Sequence, residues 1–242
     1  MITTNQMKRS FFLSMLLGIT LLFGAELSAQ QSQNAPNTLT QKEKQNGWQL
    51  LFDGTSLNGW KSWDTKKPLQ PGKWQVKNGT LALTEPGGGD IYTARSFEDF
   101  VFKIQFRTTG NSGIFFRVNP DYDGPIWHYA PEIQVLPDGP GKTGTHDAGA
   151  LYDIYPLPGN RKKINPNGWN QVVIRVDDNR YTHWFNGQKV AQVKIGGKEW
   201  TKRIKNSKFS LKKYGQKEDG HFGVQDHNHE VQYRNIKVKP LD

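Results

Sequence analysis

NSGIFFRV (residues 111–118), PEIQVL (131–136) and GALYDIYP (149–156) are three short alternations of apolar and polar residues, and they read as strands of one sheet. A strand has a side-chain period of two, so Arg117 falls on the face of Phe115, Glu132 on that of Gln134, and Tyr152 on that of Ala150. The opposite face collects Ile114, Phe116, Ile133, Val135 and Leu151, with Asp153 as a misfit. One face is therefore expected to be core and the other a polar floor. Arg, Glu, Gln and Tyr among Gly, Ile and Phe suit a concave sheet that holds a ligand; they equally suit ion pairs and hydrogen bonds tying neighbouring strands together.

Outward from this centre the chain keeps the same grammar. GWQLLFDGTSLNGW (47–60) alternates and then turns at Asp53-Gly54 and Asn58-Gly59, with Trp48, Phe52 and Trp60 as expected core anchors. WQVKNGTLALT (74–84) predicts a hairpin, because Asn78-Gly79 accepts the positive φ angles of a two-residue turn. GGGDIYT (87–93) leads into a short strand, and FEDFVFKIQFRT (97–108) into a long one. Beyond residue 156, WNQVVIRVDDNRYTHWFNGQKVAQV (169–193) predicts a three-stranded meander with turns at Asp178-Asn179 and Asn186-Gly187, Trp169 and Trp184 filling core. EWTKRIKNSKF (199–209) is the one notable helical candidate, and HFGVQDHNHEVQYRNIKVK (221–239) supplies two closing strands.

Two loops rich in turn formers lie between the floor strands. One carries Trp127, His128 and Tyr129, the other His146 and Asp147, and neither has the spacing of a closed zinc site. Loops at the end of a sheet often carry function, so their aromatics are candidate lip residues. Asp226-His227-Asn228-His229 is a further cluster, in which Asp226 and His227 read as a base with its orienting carboxylate, as two ligands of a divalent cation, or as a polar hairpin tip. Adjacent strand residues point to opposite faces, so the pair can serve one site only if a turn begins there.

Composition bounds the rest. Lys8 and Arg9 precede an apolar run from Phe11 to Phe23, and Leu27-Ser28-Ala29 ends in a small residue, so residues 1–29 read as a secretory signal peptide and the mature protein as periplasmic or secreted. Residues 30–45 read as a flexible polar linker and 46–242 as a single domain. The chain has no cysteine, which excludes disulfides and a lipid-anchored cleavage site. The net charge of +10 raises the question of a nucleic-acid partner. Much of the excess is local, between Lys198 and Lys213, and reads as a solvated face on an exported protein, so no nucleic acid and no membrane insertion after leader removal are expected. A dozen or so short strands, scarcely any helix and no repeats predict an all-β chain, a two-sheet jelly-roll sandwich of the lectin and glucanase type.

The motifs LFDGTSLNGW, GGGDIYT, NSGIFFRV, PEIQVL, GALYDIYP, WNQVVIRV, HWFNGQKV and HFGVQDHNHEVQYRNIKVK, in this order from Trp48 to Lys239, resemble the 3-keto-disaccharide hydrolase domain family. Asn228 stands where that family usually has glycine after the QDH triplet, and the loop around Trp127 is individual. The resemblance implies a concanavalin A-like sandwich that acts on glycosides whose sugar is oxidised at C3. A ketone there acidifies the C2 proton, so a base can remove it and the C1 substituent can leave, with or without later addition of water.

On that reading His227 or Glu132 is the base, Tyr152 an acid or hydrogen-bond donor, and Arg117 the group that polarises the ketone. Gln134, Asp226, Asp90 and His128 would hold sugar hydroxyls and Trp127 would stack on a ring. The resemblance assigns no definite cofactor, and Asp and His near the tip could instead hold a divalent cation that does the polarising. A sugar 3-dehydrogenase would be the functional partner. The competing class is a non-catalytic, lectin-like glycan-binding module built on the same sheet.

Overall fold

The computed structural model describes residues 35–137, 144–158, 164–209 and 214–241. The expected leader therefore lies outside the described residues. In chain order the strands are β1 (Gln49–Leu50), β2 (Trp60–Ser62), β3 (Trp74–Lys77), β4 (Thr80–Leu83), β5 (Ile91–Thr93), β6 (Phe100–Thr108), β7 (Ser112–Val118) and β8 (Glu132–Val135). They continue with β9 (Asn170–Asp177), β10 (Arg180–Phe185), β11 (Gln188–Lys194), β12 (His221–Val224) and β13 (Val231–Pro240). Two short helices accompany them, α1 (Gln41–Gln45) and α2 (Lys198–Lys205).

These strands form two antiparallel sheets. The larger runs β11-β10-β9-β6-β13-β4-β3, with β1 also paired to β13, and the smaller runs β2-β5-β12-β7-β8. The inward side chains of both sheets make one core, in which Phe222 of the small sheet stacks on Phe102 of the large one at 4.0 Å and meets Phe100 edge-on at 4.7 Å. Phe116 lies flat on Tyr181 at 5.0 Å in the same layer. The Asn78-Gly79 hairpin forms as expected, with φ values of 50° and 71°. Trp60 and Phe52 are core, but Trp48 lies half-buried under the Lys103 ammonium, 4.5 Å from its ring centre. Trp169 and Trp184 are likewise only half-buried, because each sits on the outer face of its alternation.

The segment expected as a loose linker is docked from Asn37 onward. Asn37 and Asn235 exchange two hydrogen bonds, each donating its backbone N–H to the other's side-chain Oδ1, at 2.7 and 2.8 Å. Asn37 Nδ2 also donates to the Gly79 carbonyl at 2.7 Å, and Asn37 is buried. A Thr40–Glu43 capping box starts α1, and Glu43 pairs with Lys237 of β13. Composition alone hides this, since every residue involved is polar. Asn37→Ala is expected to cost about 1–3 kcal/mol by removing the side-chain partners of the half-buried Asn235 N–H and Gly79 carbonyl, which a urea denaturation midpoint measures.

Two strand readings need correction. GALYDIYP is not a strand: it touches its neighbours through isolated bridges at Leu151 and then turns, with Asp153 at a left-handed φ of 61°. The misfit acid in the alternation marks that turn. In β7, Phe115 faces Gly223 and Val118 faces His221, so two residues, Phe116 and Arg117, oppose the single Phe222. This β-bulge, with Arg117 at φ 55°, breaks the period of two. Phe115 and Val118 consequently share the outer face while Phe116 stays in the core.

Candidate active site

The outer face of the small sheet is half covered by the β7–β8 connection, whose Ile126 and Ala130 pack with Trp63, Tyr92, Phe115 and Val118. The polar residues lie beside this cap. Glu132 opens β8 opposite Phe115, and Gln134 lies opposite Gly113. Gly113 has a steric reason to be glycine: a Cβ there would stand 2.9 Å from Glu132 Cδ and 3.0 Å from its Cγ, so the carboxyl arm lies across the bare backbone of β7.

Glu132 is only 5% exposed and makes no hydrogen bond to another described side chain. Burial pushes its carboxyl up to about 8; the Lys208 ammonium opposes that shift and the Asp90 carboxylate adds to it. The segment after β8 then builds a wall beside it. Tyr152 donates its backbone N–H to the Glu132 carbonyl at 2.9 Å, and Gln134 and residues 149–150 exchange two more such bonds. This wall is pinned from below by His183, whose Nε2–H donates to the Gly149 carbonyl at 3.0 Å while its Nδ1 accepts from Tyr181 at 2.7 Å. Burial lowers the His183 pKa to about 4, so the ring is neutral and holds this tautomer.

On that wall the His146 ring stacks over Tyr152 at 4.6 Å and its Nε2 meets Asp153 Oδ1 at 3.0 Å. Lys208 completes the group. Its backbone N–H donates to Asp153 at 2.8 Å, and its ammonium lies 4.3 Å from the Tyr152 ring centre and 4.8 Å from that of Trp127. The Tyr152 hydroxyl is raised, first by burial and then by Glu132 and Asp153, so it stays a proton donor.

A cleft of about 510 Å³ opens beside the cap, lined by Trp63, Asp64, Lys66, Asp90, Tyr122 and Asp226 among others. Asp90 Oδ1 accepts the Asp226 N–H at 2.9 Å, and Asp226 Oδ2 accepts the Gly89 N–H at 3.0 Å. Burial, with the nearby Asp226 and Asp64 carboxylates, pushes the Asp90 carboxyl up to about 7 against the Asp226 N–H that stabilises its anion. Between the two regions, Gln225 Oε1 and Asn111 Oδ1 are buried acceptors with no hydrogen-bond partner among the described residues.

The structure thus assembles Glu132, Gln134, Tyr152 and Trp127 on one wall and Asp90 with Asp226 along the cleft. His128 lies beside Trp127, edge-on at 4.1 Å, in the 3-10 turn of the cap. Arg117 is not among them. The bulge sends its guanidinium to the Gly215 carbonyl at 3.2 Å, towards Glu218, Asp99 and Glu98. His227 is also set apart: it is exposed at the β12–β13 tip, where its carbonyl accepts from His229 Nδ1 at 2.7 Å. Among the described residues no group of three or more His, Asp or Glu side chains converges to hold a metal ion. Lys208 was hidden in a run of lysines that reads as a solvated face, and no spacing in the sequence links it to Glu132.

Comparison with known proteins agrees with this architecture. Residues 47–239 match the family model described as a 3-keto-alpha-glucoside-1,2-lyase-like domain. A 3-keto-disaccharide hydrolase of Bacteroides thetaiotaomicron is 33% identical over 233 aligned positions, covering 81% of this chain and 79% of its own length. A crystal structure from Parabacteroides distasonis, provisionally named a glycosyl hydrolase, superposes with a TM-score of 0.72 at 28% identity, over 86% of this chain and all of the other. A second provisionally named glycosyl hydrolase from that organism, 20% identical, shares the fold at a TM-score of 0.59 over 80% of this chain and 99% of its own. With a two-sheet sandwich and a family match that spans nearly every strand, the chain belongs to the 3-keto-alpha-glucoside-1,2-lyase-like, or 3-keto-disaccharide hydrolase, family.

Proposed function

We propose that this protein is an exported enzyme that cleaves the glycosidic bond of 3-keto-glycosides, with Glu132 removing the C2 proton. The observation that carries this reading is a buried carboxyl, without a hydrogen-bonding side-chain partner among the described residues, pushed up to about 8 on a wall of proton donors. A carboxylate of that basicity is far better matched to a carbon acid than one at its ordinary value. The C2–H electron pair flows into an enolate at C3, and the Lys208 ammonium beside Tyr152 is the cation available to stabilise it. Collapse of the enolate forms the C1–C2 double bond and breaks the bond from C1 to the leaving oxygen, which takes a proton from the Tyr152 hydroxyl. Water addition to the enone, with hydroxyl at C1 and hydrogen at C2, turns the elimination into net hydrolysis. Gln134, Asp90 and Asp226 hold sugar hydroxyls, and Trp127 offers a ring face.

The experiment is release of a chromogenic aglycone from a glucoside and from its 3-keto derivative, each with protium or deuterium at C2. Release from the keto compound alone, slowed severalfold by deuterium, supports the proposal. Binding of the unoxidised glucoside with no release from either compound would replace it with a lectin-like function. The pH profile has a defined sign. Glu132 must be ionised to act, so kcat/KM is expected to climb through about pH 8 and level off above it; a rate that falls over that range would remove Glu132 as the base.

A further inference from the structure

The outer face of the large sheet, on the other side of the sandwich from Glu132, carries a second constructed cleft. Arg107 on β6 and Arg234 on β13 both lie over the indole of Trp169, with guanidinium carbons 5.3 and 4.1 Å from its ring centre. Each is held by a glutamine on the neighbouring strand: Arg107 donates to Gln232 Oε1 at 2.8 Å and Arg234 Nε to Gln105 Oε1 at 2.9 Å. Neither forms an ion pair with a carboxylate among the described residues. Asp53 lines this cleft, but its Oδ1 already accepts from the Thr55 and Ser56 N–H groups and its Oδ2 from the Ser56 hydroxyl. The two guanidiniums are close enough that Arg107, after burial, lowers the pKa of Arg234. Like charges are thus held together on a rigid platform with several N–H groups still undirected, an arrangement that an oxyanion would relieve.

The surroundings suit an anion carried on a sugar. The depression of about 480 Å³ that contains both arginines is also lined by Asn78, Gly79 and Thr80, and a second of about 280 Å³ continues past Arg107 and Gln232 to Thr109 and Asn167. Hydroxyl and amide groups flank the cationic centre, with one carboxylate in each depression, Asp53 in the first and Glu230 in the second, and this lining matches a chain of hydroxylated rings with occasional carboxylate or sulfate groups seated at the arginines. We propose that this face is a second binding site, for acidic saccharides, in which Arg107 and Arg234 clamp a carboxylate or sulfate while the adjoining grooves take the neighbouring sugar rings. The choice of a saccharide rests on the carbohydrate-directed function above. The site would hold an acidic glycan on the face opposite the one that cleaves.

The test is calorimetric titration of the full chain with four probes: an oligogalacturonate, a chondroitin sulfate oligosaccharide, a neutral cello-oligosaccharide and a single-stranded DNA of matched charge. Arg107→Gln/Arg234→Gln is compared with wild type and with Glu132→Gln. Expected are binding of one or both acidic saccharides, weakening by about tenfold or more in the double variant, no change with Glu132→Gln, and weaker binding of the neutral oligomer and of DNA. Chondroitin sulfate carries glucuronate carboxylates as well as sulfates, so binding of it without the oligogalacturonate marks sulfate as the anion, and binding of both shows that a carboxylate suffices. Absence of binding by both acidic probes overturns the proposal, as does equal affinity in a double variant whose melting temperature is native. DNA binding as tightly as the saccharides would reduce the site to nonspecific charge and overturn it too. Cleavage of the keto-glycoside by the double variant is expected to stay at the wild-type rate, so failure here is distinguishable from failure of the catalytic reading.

Discussion

Glu132→Gln is expected to lower turnover of a 3-keto-glycoside by about a hundred to ten-thousand-fold, with KM changed far less. The amide keeps the shape of the carboxyl and cannot accept the C2 proton. Its effect on stability should run the other way, and the sign follows from linkage. Glu132 has a folded value of about 8 against an ordinary value of 4.5, so between those limits the folded chain holds a proton that the unfolded chain has lost. Whatever Glu132 contributes to stability is complete below about pH 4.5 and lost as pH rises through about 8. Above pH 8 the wild type carries a buried carboxylate, which glutamine avoids, so Glu132→Gln should melt higher than wild type at pH 8.5 and close to it at pH 5. A thermal melt at both pH values and a rate assay read the two effects. A glutamine variant that turns over at the wild-type rate would discard the base assignment, and one that melts lower at pH 8.5 would show that the carboxylate is not the buried liability described.

The second large effect is expected from a residue with no chemistry of its own. Gly113→Ala places a methyl 2.9 Å from Glu132 Cδ and 3.0 Å from Cγ, so the carboxyl arm must leave its position over β7. Gly113 has no positive φ, so its backbone tolerates alanine and the fold should survive. A misplacement of about 1 Å at the reacting group can cost about a hundredfold in rate. The variant is therefore expected to lose turnover on that scale while retaining its melting temperature, and to shift the pH midpoint of kcat/KM, because the displaced carboxyl is solvated differently. An unchanged pH midpoint together with an unchanged rate would mean that the carboxyl is not held by Gly113. Loss of the folded state alone would instead be visible in the melt.

Much of this protein was legible in its sequence. Alternation in FVFKIQFRT and NQVVIRVD, and Asn-Gly or Asp-Asn at the turns, determined β6, β9 and the hairpins, because local sterics and the burial of one face act over a few residues. Glu132 and Gln134 stood out the same way, as polar residues where an ordinary sheet has none, and the structure sets both on the outer face of β8, while Tyr152 lies beside them on a turning segment rather than a strand. What only the tertiary structure decided depends on contacts between distant segments or on a break in the period. The bulge at Arg117 forms because β7 carries one residue more than its partner β12 between their paired positions, and it carries a cation out of the floor. Lys208 reaches the site because Asp153, at its left-handed turn, accepts the Lys208 N–H. Asn37 is fixed by Asn235 across nearly the whole chain. The raised carboxyls of Glu132 and Asp90 are a property of burial, which the chain acquires only when its sheets and cap have closed over those side chains.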